Sequence, residues 1–203
     1  MLKMIPNILT FGRLVLTVIF LILLLCAGSR EGESATYLFD WALALFIVAG
    51  ITDAIDGKIA RMLNVTSKMG RVMDPLADKV LVCGAFICFA ILGKPVLFDF
   101  SPALLSVIHW GTAAILTARE VYVTALRQIA ESRGIEFAAT ISGKVKMFLQ
   151  SFAIGTVLIK TAHLPQAEWG YWFTSVIYIL MLAATVISGI RATRRKSWQQ
   201  ASR

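Results

Sequence analysis

The sequence is short of charge. Of 203 residues only 16% are Asp, Glu, Lys or Arg, against about 25% in soluble domains, which excludes an ordinary water-soluble globule. Histidine occurs twice and cysteine three times. Cys26, Cys83 and Cys88 are odd in number and set in apolar surroundings, so they make no disulfide framework and read as small buried hydrophobes. With only five prolines, little interrupts the apolar runs. No internal repeat, low-complexity tract or separate soluble domain is visible. What is abundant is apolar: 58% of the residues, in stretches of spanning length.

These features lead to an all-α, polytopic integral membrane protein. One membrane-embedded domain is expected over residues 1–203, with six transmembrane helices near 8–28, 37–60, 72–92, 103–127, 143–161 and 171–191. The apolar run from Leu14 to Ala27 after Lys3 is similar to a secretory signal. No small-x-small cleavage site is well placed, however, and Leu25 before Cys26 spoils a lipoprotein reading. Basic residues follow spans two, four and six, including Arg61, Lys68 and Arg71 and then Arg194, Arg195 and Lys196, while the intervening loops are acidic or neutral. That bias places both termini in the cytoplasm. The net charge of +8 is dispersed between apolar stretches instead of forming a groove, which fits anionic headgroups and excludes a nucleic-acid partner. His109 and His163 fall on the side away from the cytoplasm and read as interfacial. Trp169, Tyr171 and Trp172 form an aromatic belt at the sixth span.

Carboxylates are scarce, yet four of them, Asp53, Asp56, Asp74 and Asp78, sit inside or at the mouth of spanning segments. At that depth they are costly and mark function. Asp53 and Asp56 are three apart and Asp74 and Asp78 four apart, so on helices each pair shares a face. Two such pairs on neighbouring helices bring four oxygen-bearing groups together. No His or Cys stands among them, so the set suits Mg2+ or Mn2+ and not zinc. Arg61, Lys68 and Arg71 flank the pairs and fit phosphate. The site reads as a metal-bridged phosphate binder whose active face is cytoplasmic.

At these residues the sequence resembles the CDP-alcohol phosphotransferases. The signature D-x2-D-G-x2-A-R-x8-G-x3-D-x3-D is met at every fixed position: Asp53, Asp56, Gly57, Ala60, Arg61, Gly70, Asp74 and Asp78. Within the family the likeness is to the bacterial branch that joins CDP-diacylglycerol to glycerol 3-phosphate. It rests on Ile5-Pro6-Asn7-Ile8-Leu9-Thr10 with Arg13, on Asp74-Pro75-Leu76-Ala77-Asp78-Lys79, and on Ala118-Arg119-Glu120. Ala125-Leu126-Arg127 and Gly143-Lys144-Val145-Lys146 extend it. Met147 departs from the threonine usual there.

The resemblance implies that Asp53, Asp56, Asp74 and Asp78 hold two Mg2+ or Mn2+ ions, with Asp78 also the general base. Asn7, Asp53, Asp56, Gly57, Ala60, Arg61 and Gly70 would face the CDP moiety. Arg13, Arg119, Arg127, Lys144 and Lys146 would receive the acceptor's phosphate. Plainer readings stand beside these: Arg13 snorkelling to headgroups, Lys144 and Lys146 as cytoplasmic anchors, and Arg127 paired with Glu131. The implied partners are CDP-diacylglycerol, glycerol 3-phosphate and membrane lipid, with a second copy of the chain as in the homodimers common in such families. The alternatives are inositol, inositol phosphate or serine as acceptor, or a cation-coupled transporter. A transporter predicts midplane carboxylates and repeat symmetry, and the sequence has neither.

Overall fold

The computed structural model describes the backbone of residues 5–63, 68–98, 100–133 and 140–194, and the side chains of these apart from 5–10, 54–63, 68–76 and 131. Among the described residues the fold is all helix: α1 (Ile5–Gly28), α2 (Glu33–Leu63), α3 (Lys68–Leu92), α4 (Pro102–Ser132), α5 (Ile141–His163) and α6 (Glu168–Thr193). Long apolar runs become helices because a helix satisfies each backbone amide within its own segment, as a lipid environment requires. Four of these helices, α1, α2, α5 and α6, are long and apolar enough to cross a membrane. α4 carries Arg119, Glu120 and Arg127 within its apolar run.

The helix starts differ from expectation most in two places. α2 begins at Glu33, inside what the sequence suggested was a loop, and α3 begins at Lys68. Pro75 therefore stands two turns inside α3 instead of in its first turn, where it leaves the carbonyl of Arg71 without an intrahelical donor.

Neighbouring helices form a closed ring in the order α1, α2, α5, α6, α4, α3 and back to α1, and α3 also touches α5 across the middle. Phe20 and Leu24 of α1, Phe86 and Phe89 of α3, Leu116 of α4, Ile154 and Leu158 of α5 and Met181 of α6 fill the core. Large apolar side chains also face outward, among them Val107, Phe148 and Ile179. A bundle apolar on both sides is built for lipid. Cys88 is buried as expected, Cys83 is half-buried, and Cys26 lies on the outer surface.

α1 and α3 pack through small residues. A Cβ on Gly84 would lie 2.8 Å from Leu21 Cδ1, and this is the close approach that glycine permits between membrane helices. Gly84→Val is expected to lower stability by about 1–3 kcal/mol through overpacking. Thermal unfolding in detergent measures it, and an unchanged midpoint would show that Leu21 simply moves aside.

At the end of the bundle formed by the α1–α2, α3–α4 and α5–α6 connections, His163 Nε2 lies 2.7 Å from Asp40 Oδ1 and the Thr36 hydroxyl donates to the Ala162 carbonyl at 3.4 Å. Both contacts tie α2 to α5. His109, expected at an interface, is instead buried, with Nε2 3.0 Å from the Pro95 carbonyl. Trp169 and Trp172 are exposed at this end, as a belt requires.

Candidate active site

The other end of the ring gathers the N-terminal parts of α1, α3 and α5 with the C-terminal parts of α2 and α4. The unbroken helix of α2 carries Asp53 and Asp56 at a three-residue step, and α3 carries Asp74 and Asp78 at a four-residue step. The side chains of Asn7, Asp56, Gly57, Ala60, Arg61, Gly70 and Asp74 lie outside the described residues. Asp53 and Asp78 are described, and they are close enough to repel one another.

Arg13 does not snorkel outward. It is 3% exposed, and its Nη1 forms an ion pair with Asp53 Oδ1. One turn and a helix contact explain it: α1 packs along α2, and Arg13 near the start of α1 faces Asp53 near the end of its antiparallel neighbour. A buried guanidinium needs such a carboxylate.

A small cleft opens beside this pair, lined by Asp78, Lys79 and Val82 of α3, Glu120 of α4, and Lys146, Met147, Gln150 and Ser151 of α5. Glu120 is the hub. Its Oε1 accepts from Lys146 Nζ and from Arg119 Nη1, the latter at 3.0 Å. Adjacent residues on a helix do not normally face one another, but Arg119 has room to fold back. It lies against Gly189 of α6, where a Cβ would sit 3.4 Å from Arg119 Cγ. Glu120, Thr124, Arg127 and Glu131 follow one another at four-, three- and four-residue steps as a polar stripe on α4, and the Thr124 hydroxyl donates to the Glu120 carbonyl at 2.6 Å, back onto its own helix.

Lys146 reaches Glu120 because Thr140 caps α5. The Thr140 hydroxyl accepts from Gly143 N at 3.3 Å, which starts the helix and sets Lys146 on its inner face. Lys144 faces outward, as an anchoring residue does. Arg127 is exposed but lies within electrostatic reach of Lys79. Its expected partner Glu131 has a side chain outside the described residues.

The arrangement brings Asp53, Asp78 and Glu120 together with Arg13, Lys79, Arg119 and Lys146. Among the described residues three carboxylates face four cationic groups. A cleft of this kind holds an anion such as a phosphate, with a carboxylate beside it able to take a proton. Sequence reasoning left Lys79 and Gln150 without a role. The signal for Gln150 was its position four residues after Lys146, on the same helix face. Glu120 stood out by its place at the head of the polar stripe.

The family model for CDP-alcohol phosphatidyltransferase matches residues 3–190. The chain is similar to the CDP-diacylglycerol--glycerol-3-phosphate 3-phosphatidyltransferase of Bacillus subtilis, at 35% identity over 91% of this chain and 90% of that protein. It is also similar to the protein of the same name from Rickettsia typhi, at 30% identity over 77% of each chain. With the family model spanning nearly its whole length and full-length relatives alongside, this chain is a transferase that belongs to the CDP-alcohol phosphatidyltransferase family.

Proposed function

We propose that this protein transfers the phosphatidyl group of CDP-diacylglycerol to glycerol 3-phosphate, giving phosphatidylglycerophosphate and CMP. The observation that carries the reading is full-length similarity to relatives named for that reaction, in a chain that meets every fixed position of the family signature.

Asp78 takes the proton of the acceptor's terminal hydroxyl. The hydroxyl oxygen bonds to the phosphorus that bears the diacylglycerol, the bridging P–O bond to the cytidine phosphate breaks, and CMP leaves. Lys146, Lys79 and Arg119 hold the acceptor's phosphate electrostatically in the cleft, and Arg13 lies beside the pyrophosphate. The aspartates on α2 and α3 are an oxygen-only donor set, and Asp53 and Asp78 stand within reach of one another, so the residues fit a hard dication. Asp53, Asp56, Asp74 and Asp78 would hold two Mg2+ or Mn2+ ions, which would supply charge neutralisation at the pyrophosphate and at the leaving oxygen. The protein's own work is positioning and electrostatics.

All six helices cross the inner membrane as one domain, with both termini and the cleft cytoplasmic. Arg61, Lys68, Arg71, Arg133 and Arg194 at the cleft end, against Glu31, Glu33 and Glu168 at the other, support that orientation. The lipid's acyl chains then stay in the bilayer while its head meets a water-soluble acceptor at headgroup depth.

The test is CMP release by purified protein in CDP-diacylglycerol micelles with Mg2+, with glycerol 3-phosphate, inositol, inositol phosphate or serine as acceptor. Release is expected with glycerol 3-phosphate alone, lost on chelation and restored by Mg2+ or Mn2+. Release with another acceptor discards the proposed acceptor, and chelator-insensitive release discards the metal.

A further inference from the structure

We propose that Gln150 selects the acceptor by donating a hydrogen bond to the central hydroxyl of glycerol 3-phosphate, the one that is not transferred. The inference rests on the function proposed above and deepens it. Gln150 is 1% exposed, and its Nε2 has no hydrogen-bond partner among the described residues. It nevertheless lines the cleft together with Asp78 and Lys146. A buried amide donor left unpaired is costly, and it persists where something other than the protein completes it. Among the described residues that line the cleft, Gln150 alone carries a buried side-chain N or O atom without a hydrogen-bond partner, whereas Glu120 and Lys146 are paired with one another.

The chemistry of the cleft divides the acceptor among these groups. The ammonium groups of Lys79 and Lys146 suit the phosphate, which is charged. A neutral carboxamide suits a neutral hydroxyl, since both donate and accept. Gln150 stands one helical turn beyond Lys146 on the same face of α5, so a short chain with its phosphate at Lys146 passes Gln150 before it reaches further. With the central hydroxyl held, the terminal hydroxyl is the one presented to Asp78. The bond made and the bond broken are those given above; Gln150 moves no proton and is a specificity-determining residue. A site that hydrogen-bonds a substrate hydroxyl rejects the analogue that lacks it, because the buried donor then stays unpaired.

The experiment compares kcat/KM for glycerol 3-phosphate and for 3-hydroxypropyl phosphate, the same chain without the central hydroxyl. The full-length protein and its Gln150→Met variant, which keeps side-chain length and loses the amide, are assayed in CDP-diacylglycerol micelles. The unsubstituted protein is expected to prefer glycerol 3-phosphate by roughly 10- to 100-fold. Gln150→Met should lose about that factor with glycerol 3-phosphate and little with the analogue, so the preference collapses toward one. The KM for CDP-diacylglycerol should not change. Equal losses with both acceptors would assign Gln150 a packing role and overturn the proposal, and so would an undiminished preference. Should Gln150→Met not fold, Gln150→Asn, which keeps the amide and draws it back from the cleft, must show the same collapse. Failure of the unsubstituted protein to use glycerol 3-phosphate is a separate result, and it removes the proposed function together with this inference.

Discussion

Asp78→Asn is expected to lose turnover by about 10^2- to 10^4-fold, the range that a positioned general base contributes, while CDP-diacylglycerol still binds. Asparagine keeps the volume of aspartate and some of its hydrogen bonding, but it cannot accept the hydroxyl proton. Asp78 is placed for that task. It lines the cleft with Lys146 and Lys79 on one side and lies within electrostatic reach of Asp53 and Arg13 on the other, so it stands between those lysines and the Arg13–Asp53 pair. CMP release measures the first half of the expectation. The upward shift of the unfolding midpoint produced by CDP-diacylglycerol measures the second. Near-normal turnover in the variant would remove the base from Asp78. Loss of both turnover and binding would make the residue a ligand to the substrate's metal or head, not a base.

The second large effect is expected at Glu120, and in stability as much as in rate. Glu120 is the shared counter-ion of Lys146 and Arg119. In Glu120→Ala two cations that lie within reach of one another remain in a mostly buried site with no common carboxylate. Removing one partner of a buried pair costs on the order of 3–5 kcal/mol, and this variant strands two. Lys146→Met is expected to cost less, because Arg119 still pairs with Glu120, but it removes a cation from the cleft and should raise the KM for glycerol 3-phosphate. Glu120→Ala with Lys146→Met should recover part of the stability and none of the activity. Thermal unfolding in detergent ranks the three. If Lys146→Met proved as destabilising as Glu120→Ala, Glu120 would not be the hub.

The chain's membrane character, the six helices of its described residues and the step of each aspartate pair were all determined by sequence alone, and for a common reason. Each depends on interactions within a few residues: apolar length, the 3.6-residue period, and the spacing of Asp53 with Asp56 and of Asp74 with Asp78. The family signature is equally local, running from Asp53 to Asp78 across the end of α2 and the start of α3. Partner choice was not legible. Arg13 could be read as snorkelling or as a phosphate ligand until α1 was seen to pack along α2 and turn it onto Asp53. Lys146 could be read as an anchor or as an acceptor ligand until α5 was set where Glu120 of α4 meets it. Gln150 had no reading at all, although it shares a face with Lys146, because an unpaired amide is defined by what surrounds it. These outcomes belong to the ring order α1, α2, α5, α6, α4, α3, which brings together residues far apart in the chain. A charge in an apolar helix must find a partner, but which partner it finds depends on which helix lies beside it or across the ring from it, and only tertiary packing decides that.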